Sequence, residues 1–251
     1  MLKIKNLSKS FGEIKAVNNC NFHIKEGSIT GLIGPNGAGK TTIFNLITGL
    51  HRPDEGKVYF NDKDITKLAS HKIAKLGLMR TFQLVRLFPK LTVLENIMLA
   101  RKSFGEELHQ ALFNPIKIAR REKINYEKAM EYLSEVGLEE KAEELAENLS
   151  YGQQKLLELA KVLAVEPELI LLDEPTAGVN PVMREHLKGV IRKLNTNGKT
   201  LLIIEHDMKF IMDLCSEVIV LDHGKDLAIG SSDLIQNDKR VLEAYLGGAK
   251  K

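Results

Sequence analysis

The chain's clearest chemistry lies in Gly34-Pro35-Asn36-Gly37-Ala38-Gly39-Lys40-Thr41, which fits the pattern G-x-x-x-x-G-K-[ST]. An apolar run, Ser28–Ile33, precedes it, and a helix-favouring stretch, Thr42–Thr48, follows. Gly34, Gly37 and Gly39 let the backbone curl so that successive N–H groups, those of Asn36 and Ala38 among them, aim inward at phosphate oxygens. A helix beginning near Lys40 adds unsatisfied N–H groups and the positive end of its dipole. Lys40 supplies a point charge for the terminal phosphates, the Thr41 hydroxyl is placed to ligate Mg²⁺, and Thr42 is a further phosphate donor. A glycine-rich turn with no ligand is the competing reading, and the strand, lysine and helix in register argue against it.

A second constellation is Leu169-Ile170-Leu171-Leu172-Asp173-Glu174, an apolar run that ends in two carboxylates. In a parallel sheet, ligands sit beyond the carboxyl ends of the strands. Asp173 is therefore expected to hold Mg²⁺, and Glu174 to face the attacking water as general base or orienting group. A third string is Leu149-Ser150-Tyr151-Gly152-Gln153. Ser150 and Gln153 stand at capping-box spacing ahead of a helix through Leu156, Leu159 and Ala160. A capped helix start is itself an anion site, and Gly152 permits close backbone approach.

The elements that must position these groups can be read from periodicity. Leu2–Leu7 alternates like a half-buried strand, and Val58–Phe60 enters a turn at Asn61-Asp62-Lys63. Ser28–Ile33, Leu169–Leu172 and Leu201–Ile204 are short apolar runs suited to strands covered on both faces of a parallel sheet. From about Leu94 to Glu147 the chain is charged and helix-favouring; Met130, Leu133 and Val136 share one face of a helix over Tyr126–Val136 that Gly137 can close. Phe104–Arg121 reads as an irregular elaboration, and Asp238–Leu246 as a short amphipathic helix stopped by Gly247-Gly248. The expected organisation is α/β: a core begun by residues 1–93, split by a helical subdomain over 94–160, resumed over 161–235 and followed by a helical tail, 236–251.

Composition bounds the partners. With 251 residues, 43% hydrophobic and 27% charged, the chain is long and apolar enough for a packed core. A net charge of +3 without a dense basic stripe leads us to expect no nucleic-acid partner. Cys20 and Cys215 belong to no metal-ligand or CxxC spacing, so a reducing, cytosolic setting is expected. Met1–Lys15 lacks a following apolar segment of signal-peptide type, and the apolar runs are too short to span a bilayer, so any membrane link is expected to run through a partner.

As an ordered set, these strings resemble the ABC transporter ATPase family, over Leu2 to about Gly230. Its signature is usually written LSGGQ; here Tyr151 stands in place of the first Gly, while Ser150, Gly152 and Gln153 match. The resemblance implies a P-loop NTPase (RecA-like) core with an antiparallel β subdomain and an inserted α-helical subdomain, working on ATP with Mg²⁺. It implies that Ser150, Gly152 and Gln153 contact the γ-phosphate of ATP held by the opposite subunit of a head-to-tail dimer. It also implies that Phe11 stacks on adenine, Gln83 reaches Mg²⁺ and the attacking water, Ala177–Asn180 crosses the dimer interface, and His206 contacts the γ-phosphate. A core role for Phe11 and a structural role for His206 are the competing readings.

Finer strings are similar to the ATPase subunits of branched-chain amino acid importers of the LivG type. They are Arg80-Thr81-Phe82-Gln83-Leu84-Val85-Arg86-Leu87-Phe88, Ser150-Tyr151-Gly152-Gln153-Gln154-Lys155, Ala177-Gly178-Val179-Asn180-Pro181 and Glu243-Ala244-Tyr245-Leu246-Gly247. That resemblance implies two permease subunits, an external solute-binding protein, a second ATPase subunit (identical or paralogous), and a peripheral place at the cytoplasmic face of the cell membrane. Leu84–Leu91, apolar and basic, is expected to form the groove that receives a permease helix. Importers of urea or short amides share much of the pattern. A soluble ABC protein of translation or DNA maintenance and a non-enzymatic nucleotide-binding regulator are further alternatives. A single phosphate loop and signature disfavour the first, and Glu174, Gln83 and His206 the second.

Overall fold

The computed structural model describes residues 1–81, 87–101 and 115–247, in two compact units. The first unit comprises Met1–Gln83, Pro167–Ala177 and Ile191–Lys251; the second comprises Leu84–Glu166 and Gly178–Val190.

Two sheets build the first unit. Strands β1 (Leu2–Phe11), β2 (Ile14–Ile24), β4 (Glu55–Phe60) and β5 (Lys63–Asp64) form an antiparallel sheet in the order β2-β1-β4-β5. Leu2, Ile4 and Leu7 of β1 point into the core and polar residues alternate with them, as a one-sided sheet requires. The strand runs on to Phe11, beyond the alternating segment, because its hairpin partner holds it down to the pair Phe11–Ile14, turned by Gly12 at φ 59°.

The second sheet has the order β10-β9-β3-β8-β7-β6 among the described residues. Its centre is β3 (Ile29–Ile33), β8 (Thr200–Ile204) and β7 (Leu169–Asp173), all buried at every position. These are the apolar runs of the sequence, and covering both faces explains why they do not alternate. β6 (Leu78–Arg80), β7, β8, β3 and β9 (Glu217–Asp222) run parallel, and β10 (Lys225–Gly230) closes one edge antiparallel to β9. The β9–β10 hairpin is absent from the sequence reading, although Val218–Leu221 is an apolar run like the others.

Register then does the positioning. Leu32 pairs with Ile204, Ile204 with Asp173, and Leu171 with Arg80. The residues that leave these strands, Gly34, Thr81, Glu174 and Glu205, therefore emerge together at the carboxyl ends of the parallel strands. Helix α1 (Lys40–Ile47) follows β3 and buries Ile43, Phe44 and Ile47 in the core shared with β1 and β4. The unit also holds α2 (Ser70–Lys75), α7 (Met208–Leu214), α8 (Ser232–Gln236) and α9 (Lys239–Gly247), the last matching the expected amphipathic tail.

The second unit is helical: α3 (Val93–Arg101), α4 (Pro115–Val136), α5 (Tyr151–Leu163) and the start of α6 (Pro181–Thr196). α4 begins earlier than expected. Residues 115–121 are helical, not irregular, which suits a proline at the first helical position followed by Lys and Arg. Gly137, at φ 73°, ends α4, and the Leu138 N–H reaches back to the Leu133 carbonyl at 2.8 Å. Arg101 donates to the Ala164 carbonyl (3.1 Å) and the Tyr132 hydroxyl to Glu166 (3.0 Å), tying α3 and α4 to the end of α5. Gln83, residues 84–86 of the expected permease groove and residues 102–114 lie outside the described residues. Among the described residues no helix is long and apolar enough to cross a membrane.

Both cysteines are buried in the first unit. Cys20 donates to the Gly224 carbonyl at 3.0 Å; burial, then the charge of Asp226, pushes its thiol up from 9.0 to about 11. Burial alone takes Cys215 to about 12. An acid whose folded value lies above its unfolded value stabilises the fold below the unfolded value, and that stabilisation is lost as pH rises towards the folded one. Urea midpoints should therefore fall between about pH 9 and about pH 11. Alkylation of both thiols should be slow in the native protein and fast in denaturant at about pH 8.5.

Candidate active site

The loop from Gly34 to Gly39 joins the buried β3 to α1 and has glycine where the backbone demands it. Gly39 holds φ 101°, and a Cβ there would meet the Ala16 carbonyl at 2.4 Å; one on Gly34 would meet the Leu221 carbonyl at 2.1 Å. Gly39 is also the cap residue of α1, so no side chain covers the helix's first N–H groups. Lys40 is folded over the loop, its Nζ donating to the carbonyls of Gly34 (2.7 Å) and Pro35 (3.0 Å). Burial holds its ammonium below the usual lysine range, opposed by the negative charges of Glu174 and Asp173. Asn36 and Thr41 are exposed, Thr42 is half-buried, and Ala38 is buried, its N–H donating to the Pro35 carbonyl (3.1 Å).

The acidic pair splits its tasks. Asp173 ends β7 in a buried site; its Oδ2 accepts from Arg80 at 2.6 Å, and its backbone N–H donates to the Thr81 hydroxyl at 3.3 Å. The same guanidinium donates to Asn45 Oδ1 of α1 (2.7 Å) and stacks over the Phe44 ring, 5.3 Å from its centroid. Arg80 thus ties β6, β7 and the helix of the phosphate loop together. Sequence reading assigns it no role, because its partners lie 35 and 93 residues away. Glu174 turns out of the strand at φ 49°, a left-handed conformation that costs a non-glycine residue of order 1–3 kcal/mol. Its Oε1 stands 2.7 Å from Nε2 of His206, so the sheet brings these two expected catalytic residues together. Phe11 is 44% exposed at the tip of the β1–β2 hairpin, not in the core; His51 meets its ring edge-on at 5.3 Å, and Lys9 Nζ lies 5.5 Å from its centroid.

In the second unit, Ser150 caps α5 in a full capping box. Its Oγ accepts from Gln153 N–H (3.4 Å), and Gln153 Oε1 accepts from Ser150 N–H (3.0 Å). The space over Gly152 belongs to Met183 of α6, whose Cγ would lie 2.7 Å from an added Cβ. Tyr151 packs its ring edge on Gly178, 3.0 Å from where a Cβ would stand, and Gly178 needs its φ of 73°. Asn180 accepts from Met183 N–H at 2.9 Å, starting α6. The signature helix and the segment after the acidic pair are packed together within one unit.

A glycine loop at a helix start, with a buried lysine held beside two carboxylates at the end of a parallel sheet, defines a phosphate-loop nucleotide-binding domain. The ABC transporter family model matches residues 17–177. The high-affinity branched-chain amino acid transport ATP-binding protein BraF of Pseudomonas aeruginosa is 40% identical over 251 residues, covering 99% of this chain and 98% of that protein. Among solved structures, an ATP-binding cassette of an ABC transporter in its ADP conformation matches with a TM-score of 0.86 and 35% identity, covering 98% of each chain. A dimeric post-hydrolysis cassette bound to ADP and Pi matches with a TM-score of 0.75 and 30% identity, over 92% of this chain and 99% of that one. The chain belongs to the ABC transporter family and is an ATPase component of it.

The buried Arg80–Asp173 pair sets a stability test. Arg80→Met leaves a buried carboxylate without its cation and should cost about 3–5 kcal/mol in urea unfolding. Lys3→Met, at the exposed pair with Asp62, should be nearly silent.

Proposed function

We propose that this chain is the ATP-hydrolysing subunit of an importer for branched-chain amino acids, seated peripherally at the cytoplasmic face of the membrane on two permease subunits. The observation that carries the hydrolytic part is the convergence of Lys40, Asp173, Glu174 and His206 at the carboxyl ends of the parallel strands. The solute rests on full-length similarity to the transport protein named above.

In this reading, the N–H groups of Gly34–Thr42, with Asn36 and Ala38 in the curl, bind the phosphates, and Lys40 swings its ammonium from the loop carbonyls to the β- and γ-phosphates. Phe11 offers an exposed ring for the adenine, a contact worth roughly 1–3 kcal/mol. Glu174 orients the attacking water and accepts its proton, and His206 holds Glu174 and reaches the γ-phosphate. The donor set fits Mg²⁺. Among the described residues no three His, Cys, Asp or Glu converge on a metal site of their own. The Thr41 hydroxyl and the Asp173 carboxylate would instead hold the ion jointly with the nucleotide, as Mg²⁺ prefers, with Gln83 a further ligand. When bound, Mg²⁺ would neutralise charge on the β- and γ-oxygens.

A second ATPase subunit completes the site head to tail: Ser150, Gly152 and Gln153 of one copy offer a capped helix start to the γ-phosphate held by the other. A dimeric, ADP- and Pi-bound cassette among the similar structures supports pairing of two ATPase subunits. The segment Leu84–Leu91 serves as the permease groove, and an external binding protein delivers the solute to the permease.

Glu174→Gln should keep ATP bound while lowering turnover by about 10²–10⁴-fold in the purified subunit. Nucleotide binding by fluorescence and phosphate release together check this, and near-normal release would reject the role. Vesicles carrying the assembled transporter should take up labelled leucine; uptake of urea or a short amide instead would redirect the substrate.

A further inference from the structure

Glu205 is a carboxylate with no place in the nucleotide contacts above. It leaves the end of β8 just before His206 and is only 4% exposed. Three donors converge on it. Oε1 accepts from the Thr176 amide (2.6 Å) and the Thr176 hydroxyl (2.6 Å), and Oε2 accepts from the His206 amide (3.1 Å). Thr176 lies two residues beyond Glu174, so one buried side chain binds the backbone of both turns that carry the reacting groups.

The turn at Glu174 needs such a hold. Its φ of 49° persists only where the surroundings over-determine it. On the strand side, the Glu174 N–H donates to the Ile204 carbonyl at 2.9 Å. On the far side, Ala177 N–H closes the turn on the Glu174 carbonyl at 3.1 Å, and Glu205 pins Thr176 between them. The 2.7 Å approach of His206 to Glu174 joins two residues whose backbones are both anchored, directly or one peptide away, by that carboxylate.

We infer that Glu205 is a positioning residue: it clamps the Thr176 and His206 amides so that the Glu174 carboxylate and the His206 ring meet in hydrolytic geometry. The inference rests on the hydrolytic role proposed for Glu174. The chemistry calls for a carboxylate. Two of the three donors are fixed backbone N–H groups on opposite oxygens, and only an acceptor-only group satisfies both. Glutamine keeps the size but turns one NH₂ towards an N–H, so it holds one turn and releases the other.

The test compares the full-length wild type with Glu205→Gln, Glu174→Gln and the double variant. Its readouts are turnover, nucleotide affinity, melting temperature and amide hydrogen exchange. Glu205→Gln should lower kcat by about 10–100-fold, as misplacement of reacting groups by about 1 Å does, with nucleotide affinity within about twofold. Exchange should quicken at the Thr176 and His206 amides. In the Glu174→Gln background the further loss of kcat should vanish, because the clamp acts through Glu174, while any loss of melting temperature should recur there. A kcat within about twofold of wild type, or a loss that multiplies undiminished in the Glu174→Gln background, would overturn the inference. Unaltered exchange at both amides would overturn it as well. A wild type that hydrolyses no ATP, or a Glu174→Gln variant as fast as wild type, would overturn the hydrolytic reading instead, and the exchange data would still judge the clamp. Should Glu205→Gln fail to fold, Thr176→Val weakens the clamp by removing the hydroxyl that shares Oε1 with the Thr176 amide, and Thr176→Ser keeps that hydroxyl; equal turnover in these two would count against the inference.

Discussion

The structure hangs on parallel strands that must end in line. β3, β8 and β7 are buried on both faces, so apart from Thr30 and Thr200 they carry no polar side chain before their carboxyl ends, where Asp173 and the residues that follow the strands stand. Their hydrogen-bonded register leaves no freedom over which residues arrive there. Leu32, Ile204 and Asp173 share one row, and the glycine loop, the acidic pair and Glu205-His206 follow as a consequence. A slip along one strand would move a carboxylate into the core or a lysine away from it.

Concentrating charge at those strand ends creates an electrostatic problem, which the fold solves by pairing and not by exposure. Lys40 is desolvated but feels Glu174 and Asp173; Asp173 is held by Arg80; Glu205 is surrounded by three donors. Each group would be costly to bury alone. The result is a set of carboxylates held in fixed orientations by their own donors, Asp173 by Arg80 and Glu205 by Thr176 and His206.

In the second unit the same economy of space falls to glycines and caps. Tyr151, where the usual signature has glycine, lies against Gly178, and Gly152 admits Met183. The signature helix start is consequently joined to the segment that follows the acidic pair, although Leu149 lies 24 positions before Asp173 along the chain. The tyrosine is thus accommodated as a packing element, and the Ser150–Gln153 capping box is formed alongside it.

By itself, the sequence determined whatever depends on neighbours along the chain. The glycine loop before a helix, the apolar strands, the Ser150 cap, the close of α4 at Gly137 and the family were all legible, because backbone conformation and local hydrogen bonds are encoded within a few residues. The start of α4 at Pro115 was not legible, since a proline opens a helix as readily as it belongs to a loop. Only the tertiary structure decided the partners of buried charges. Arg80 meets Asp173, Glu205 meets Thr176, and His206 meets Glu174 across strand crossovers. Such pairs are selected by sheet order and by the cost of leaving a charge unsatisfied in the interior, neither of which is written in the spacing of residues.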